Sequence, residues 1–233
     1  MKIIHIKDIL IDLGYPLHTI SLGKFDHIGE FTAKKHRDPS SKLYHSAGAF
    51  FRPNYERGLL IYALIKKYKI KSFLEIGFGR GYGSICAAMA MSDLNLDGKI
   101  FSVDPQINEN HVKKIQHIFP DSWTSKICLY EGTSDYFFAE NKSYFDMIYI
   151  DGDHRYDAVK KDWKNSEIYS NKIILFDDYH FPTKEEKDIE VSKVVDEITG
   201  YEKQIIRMDR RIFLDDRGYT DEQIDYGQVL IIK

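Results

Sequence analysis

The chain has 233 residues, 43% hydrophobic and 30% charged, with 36 acidic against 33 basic side chains and a formal net charge of −3. A chain of this size buries a sizeable core without disulfide or metal staples, so collagen-like, disordered and mini-protein classes are excluded. The near-balance of charge provides no global basic field for nonspecific nucleic-acid binding, and no run approaches the roughly 20 apolar residues of a membrane span.

The N-terminal stretch is interrupted by Lys7, Asp8 and Asp12 and so lacks the apolar centre of a signal peptide. Cys86 and Cys128 each sit in an apolar segment and read as free thiols, and a cytoplasmic location is expected. Ser21 to Ala49 shows no sustained period and carries the basic run Lys34 to Arg37; residues 1–50 read as an N-terminal arm or lid and residues 51–233 as the main domain. Arg52 to Tyr68 resumes helical spacing, with Leu59, Leu60, Ala63 and Leu64 on its apolar face despite Gly58.

From Lys71 one pattern repeats. Short β-rich apolar runs end in Gly or Asp at Lys71 to Gly77, Lys99 to Asp104, Lys126 to Gly132, Phe145 to Gly152 and Lys172 to Asp178. Between them lie helical stretches, including Ser84 to Leu94, Asn108 to Phe119 and Tyr156 to Tyr169. This alternation predicts βαβ units and a parallel sheet covered on both faces. Val191 to Ile198 predicts a further helix, and Lys203 to Met208 with Gln228 to Ile232 two closing strands. The expected fold is α/β, Rossmann-like and doubly wound: a seven-stranded, mostly parallel sheet with one antiparallel strand near the C-terminus.

The first strand ends in FLEIGFGRGYGS, where Glu75, Gly77, Gly79 and Gly81 stand between strand and helix. Glycines there let the backbone turn sharply and approach a ligand, while the helix N-terminus offers unsatisfied N–H donors. The dinucleotide fingerprint G-x-G-x-x-G fails in every frame, because its last position falls on Tyr82, Ser84 or Cys86. A glutamate before the glycines suits a cationic ligand better than a pyrophosphate. Asp104, at the tip of the second strand, can accept both hydroxyls of a ribose, and the third strand ends in the polar run Glu131 to Ser134.

EIGFGRG followed by FSVD resembles the first two motifs of class I S-adenosylmethionine-dependent methyltransferases. The resemblance spans about Arg52 to Lys233. It implies that Glu75, Gly77, Gly79 and Gly81 line the methionine side of the cofactor, that Asp104 takes the ribose and that Ser134 lies near the adenine.

FDMIYIDGDH closes the fourth strand with Asp151, Asp153 and His154, and IILFDDYH closes the fifth with Asp177, Asp178 and His180. In a parallel sheet both ends open on one edge, so these acids converge beside the glycine loop. Converging carboxylates repel unless a cation is present, and hard oxygen ligands without cysteine favour Mg²⁺ or another divalent ion. Asp151, Asp177 and Asp178 form the expected ligand set, with Asp151 also bordering the cofactor. His154 follows three residues after Asp151, and its ordinary pKa of about 6.5 suits a general base. D-G-x-H with a later D-D resembles the macrocin and mycinamicin sugar O-methyltransferases, in which three acids bind the metal and histidine is the base; catechol-type enzymes, a more distant likeness, carry lysine there.

The expected activity is S-adenosylmethionine-dependent, divalent-metal-dependent O-methylation of a small-molecule hydroxyl, sugar-like or catechol-like. Two alternatives stand beside it: a non-catalytic S-adenosylmethionine-binding protein, and a methyltransferase acting on a macromolecule. Neither membrane nor nucleic acid is an expected partner. The acceptor and any homo-oligomer formation are left open. Tyr44, Phe50, Phe51 and Tyr55 are candidates to wall an acceptor pocket, with core or lid packing the competing reading.

Overall fold

The computed structural model describes residues 2–16, 23–25, 27–28, 55–181, 189–208 and 226–233. Side chains alternate along the strands and so build two cores. In β2 (Ser72–Ile76) and β5 (Phe145–Ile150), Phe73 pairs with Met147 and Leu74 with Ile148 in parallel register. Phe73 and Met147 pack with helices Tyr55–Tyr68 and Tyr82–Asp93, whereas Leu74 and Ile148 pack with helices Tyr156–Tyr169 and Val191–Glu197. Burial on both faces is why these strands read as apolar runs.

The remaining strands are β1 (Lys2–His5), β3 (Lys99–Asp104), β4 (Ile127–Glu131), β6 (Ser170–His180), β7 (Lys203–Arg207) and β8 (Tyr226–Ile232). Their order is β1-β7-β8-β6-β5-β2-β3-β4, and only β8 is antiparallel to its neighbours. After β2 the chain winds outward through β3 and β4, then returns to place β5 on the other side of β2. This reversal opens a crevice at the carboxyl ends of β2 and β5, where open α/β sheets bind ligands.

Among the described residues the sheet has eight strands, not the expected seven. The addition is Lys2–His5, inside the segment read as an arm, which pairs in parallel with β7 from Lys2↔Gln204 to His5↔Arg207. The following helix, Ile6–Asp12, buries Ile6, Ile9 and Leu10 in the core. Four residues running straight into a helix show no two-residue period of their own, and the partner strand lies almost at the other end of the chain. The second difference is the length of β6, which continues past Asp178 to His180 and places both aspartates inside the strand. The run Lys34 to Arg37, the aromatics Tyr44, Phe50 and Phe51, and the turn around Asp215 to Gly218 lie outside the described residues. Tyr55 is buried in the core. Among the described residues no helix is long and apolar enough to cross a membrane.

Candidate active site

The glycine loop is shaped by main-chain contacts. Gly77 has φ +92°, and a Cβ there would run into the carbonyl group of Asp151. Two bonds clamp the loop to both neighbouring strands: Gly77 N–H donates to Val103 O at 2.9 Å, and Asp151 N–H to Ile76 O at 2.8 Å. Gly81, at φ +82°, begins helix Tyr82–Asp93 and passes so close to the Phe78 ring that a Cβ would lie 2.6 Å from it. Asp104 accepts from Gly79 N–H at 2.9 Å and from Gln106 N–H at 2.7 Å. A carboxylate offers about four acceptor sites, so this one retains capacity for a pair of hydroxyls.

These groups border a cleft of about 940 Å³, within the range of small-molecule sites. Gly77, Gly79, Asp104, Ser134 and Asp151 line it; Glu75 and Gly81 do not. Glu75 points under the loop, 1% exposed, and accepts from the Ser84 hydroxyl. Burial pushes its carboxyl up to about 8, against the pull of that hydroxyl. Its side chain therefore supports the loop from below. Ser134 opens a short helix capped by Thr133 and donates to Asp162. Asp162 lines the cleft at 5% exposure, and burial raises it to about 6. Seven acidic side chains line the cleft against Arg155 and Lys161, a balance that favours a cationic ligand.

The acid cluster adjoins this cleft through Asp151. Asp151 Oδ1 stands 3.7 Å from His154 Nε2, and Asp178 Oδ2 stands 3.5 Å from the same nitrogen. Asp178 reaches this position because its φ is +51°, at a register irregularity between β6 and β8. Such a bulge re-aims a side chain that would otherwise follow strand alternation. The loop carrying His154 is held from behind: Glu190 N–H donates to His154 O at 2.8 Å, and the Glu190 carboxylate accepts from Tyr156 N–H at 3.0 Å. The Asp151 carboxylate holds the His154 imidazole above its usual range, burial opposes this, and the Asp178 charge adds to the rise. Burial raises Asp151 and Asp178, with Arg57 opposing the rise at both.

Asp177 takes a different place from the one expected. Its carboxylate is buried beneath the cluster, where Oδ1 accepts from Gln228 Nε2 at 2.9 Å and Oδ2 meets Arg57 Nη2. Arg57 Nη1 also reaches Asp151 Oδ2 at 3.1 Å. Three ligand-type atoms within 4.8 Å of one another come from Asp151, His154 and Asp178, so His154 joins the group and Asp177 stands outside it. Asp153 pairs with Arg155 at the surface.

Arg57, Asp162 and Gln228 were not singled out from sequence. Asp162 had a readable signal, since it shares a helical face with Val159, Trp163 and Ser166, all buried. Arg57 follows a fully buried Glu56 and precedes Gly58, where a Cβ would lie 2.7 Å from Tyr82 Oη. Its helix is thus pressed against helix Tyr82–Asp93. Charges near a helix start otherwise read as solvated.

Residues 74–179 match the family model for a methyltransferase domain. No curated protein matches the chain by sequence. Three solved structures resemble it in fold: the O-methyltransferase TomG from Streptomyces achromogenes, in complex with S-adenosylmethionine (14% identity, TM-score 0.60, 92% of this chain and 91% of that one); an O-methyltransferase from Bacillus cereus with S-adenosylhomocysteine (12%, 0.61, 98% and 97%); and the Podospora anserina methyltransferase PaMTH1 with S-adenosylhomocysteine (16%, 0.56, 88% and 87%). Residues 74–179 thus resemble a methyltransferase domain, and the chain shares the fold of these solved methyltransferases.

Proposed function

We propose that this protein is an O-methyltransferase that uses S-adenosylmethionine and a divalent cation to methylate a hydroxyl of a small molecule, sugar-like or catechol-like. The observation that carries the reading is the position of Asp151, which lines the cleft with Gly77 and Asp104 and also belongs to the cluster with His154 and Asp178. Donor site and acid cluster therefore share a residue.

The donor set fits a hard divalent ion. Carboxylate oxygens dominate it, no cysteine takes part, and His154 Nε2 is a buried nitrogen without a hydrogen-bond partner. Asp151 and Asp178 would hold the ion, which when bound lowers the pKa of an acceptor hydroxyl and orients it. S-adenosylmethionine supplies an activated methyl group, leaving alignment and deprotonation to the protein. The cleft's acids favour the sulfonium charge, Asp104 receives the ribose, and Gly77 and Gly79 let the backbone approach the methionine end. His154 accepts the proton of the hydroxyl. Its carboxylate neighbours raise its affinity for that proton, and neutralising them returns it toward its ordinary range.

The grouping of Asp151, His154 and Asp178 favours a second reading in which His154 is itself a ligand. His154→Gln separates the two. As a base, its loss lowers methyl transfer by about 10²- to 10⁴-fold while Mn²⁺ affinity stays within about twofold; as a ligand, both fall together. The assay is product formation from S-adenosylmethionine across a panel of sugars and catechols, run beside Mn²⁺ titration. Wild-type transfer that persists undiminished in His154→Gln would sink both roles.

A further inference from the structure

We infer that Arg57 is a resident cation of the acid cluster: by engaging Asp177 and one oxygen of Asp151 it withdraws Asp177 from the metal ligand set and sets the strength of the divalent-ion site. The inference rests on the metal-dependent reading above. Both Asp177 oxygens are taken, one by Gln228 Nε2 at 2.9 Å and the other by Arg57 Nη2. The second Arg57 nitrogen, Nη1, holds Asp151 Oδ2 at 3.1 Å, so only Oδ1 of Asp151 faces His154. The Asp177 side chain is 0% exposed and that of Arg57 19%, so water screens this contact little.

Arg57 is held in place by its neighbours. Glu56 is fully buried and accepts from Tyr226 Oη of β8 at 3.1 Å, two residues before Gln228. Gly58 lets the helix press against Tyr82 and Cys86, with no space for a side chain. Moving the guanidinium off the acids would require moving a helix start fixed on both sides. Tyr149 closes the network from the sheet, with its Oη 3.4 Å from Asp151 Oδ2 and 3.3 Å from Gln228 Nε2.

The electrostatic consequence is direct. Three carboxylates against one guanidinium leave two formal negative charges, which one divalent cation neutralises. Two aspartate oxygens facing the opening also match the habit of Mg²⁺, which binds one or two carboxylates and completes its shell with other oxygens. Withdrawal of Asp177 leaves more of those positions for a chelating acceptor. Arg57 acts through the acids and is a positioning residue.

The test is Mn²⁺ binding, read by the electron paramagnetic resonance of free Mn²⁺, on the full chain and four variants whose folding is checked by circular dichroism. Asp177→Asn removes one charge but no ligand oxygen and should weaken binding by about tenfold at most, whereas Asp178→Asn removes charge and ligand together and should weaken it by about a hundredfold. Arg57→Met should tighten binding by about tenfold, and Arg57→Lys, which restores the charge, should return it toward wild type. Equal weakening by Asp177→Asn and Asp178→Asn overturns the inference, as does unchanged affinity in a folded Arg57→Met. If Arg57→Met does not fold, the two asparagine variants decide. Absence of wild-type binding at millimolar Mn²⁺ refutes the metal-dependent reading and this inference with it; wild-type binding combined with equal losses in Asp177→Asn and Asp178→Asn refutes this inference alone.

Discussion

The cleft and the acid cluster meet at Asp151 but are built in opposite ways. The glycine loop at the cleft is shaped by main chain: Gly77 lies against the backbone of Asp151, and Gly79 offers its N–H to Asp104. The cluster is made of side chains from three separated elements: Arg57 from helix Tyr55–Tyr68, Asp151 and His154 after β5, and Asp177 and Asp178 within β6. A loop packed on backbone tolerates no added atoms at its contact point, Gly77. A charge-built site accepts changes of shape and fails when its ionic balance shifts.

Gly77→Ala is the largest expected break in that comparison, because it strikes the point where the regions join. The added methyl collides with the Asp151 carbonyl at a φ that L-residues avoid, so a loss of about 3 kcal/mol or more is expected, with cofactor binding and cluster geometry failing together. Thermal melts and S-adenosylhomocysteine calorimetry check this; a variant that melts like wild type and binds normally would show that the loop yields more easily than its contacts indicate.

Glu75→Gln comes next and concerns the support beneath the loop. The folded-state pKa of Glu75 is raised to about 8 from an ordinary value near 4.5, so the folded protein binds the proton more tightly than the unfolded chain. That contribution to stability is fully present below about pH 4.5 and is lost as pH rises to about 8, with a slope of at most about 1.4 kcal/mol per pH unit. Unfolding in urea across this range should show Glu75→Gln losing less stability than wild type as pH rises. Parallel pH profiles would remove Glu75 as a buried, proton-holding group.

The smallest effect is also the most selective. Asp104→Ala should weaken S-adenosylhomocysteine binding by about tenfold, or 1.4 kcal/mol, and leave Mn²⁺ affinity unchanged, because Asp104 touches the loop and no member of the cluster. Loss of both affinities would mean that the two regions are one coupled unit.

The same contrast explains what could be read from sequence. The turn at the glycine loop and the place of Asp104 at a strand tip follow from contiguous stretches that the apolar periodicity already marks. Glu75 was assigned to the ligand from its place in the motif, but alternation along β2 turns its side chain under the loop instead. Asp177 and Asp178 looked equivalent as neighbours at a strand tip. The strand in fact continues to His180, and the bulge at Asp178 sends the two carboxylates to different partners. Arg57 was invisible because its role depends on a pairing with Asp177 across 120 positions of chain. The strand Lys2–His5 escaped for the same reason, its partner being almost at the other end of the sequence.

The central claim is that the acid cluster serves methyl transfer through a divalent ion. The direct measurement is product formation from S-adenosylmethionine and a chelating acceptor, first in EDTA and then after addition of excess Mg²⁺. Transfer abolished by the chelator and restored by Mg²⁺ is the predicted result. Full transfer in EDTA would contradict the account and leave Arg57 as the only cation the cluster needs.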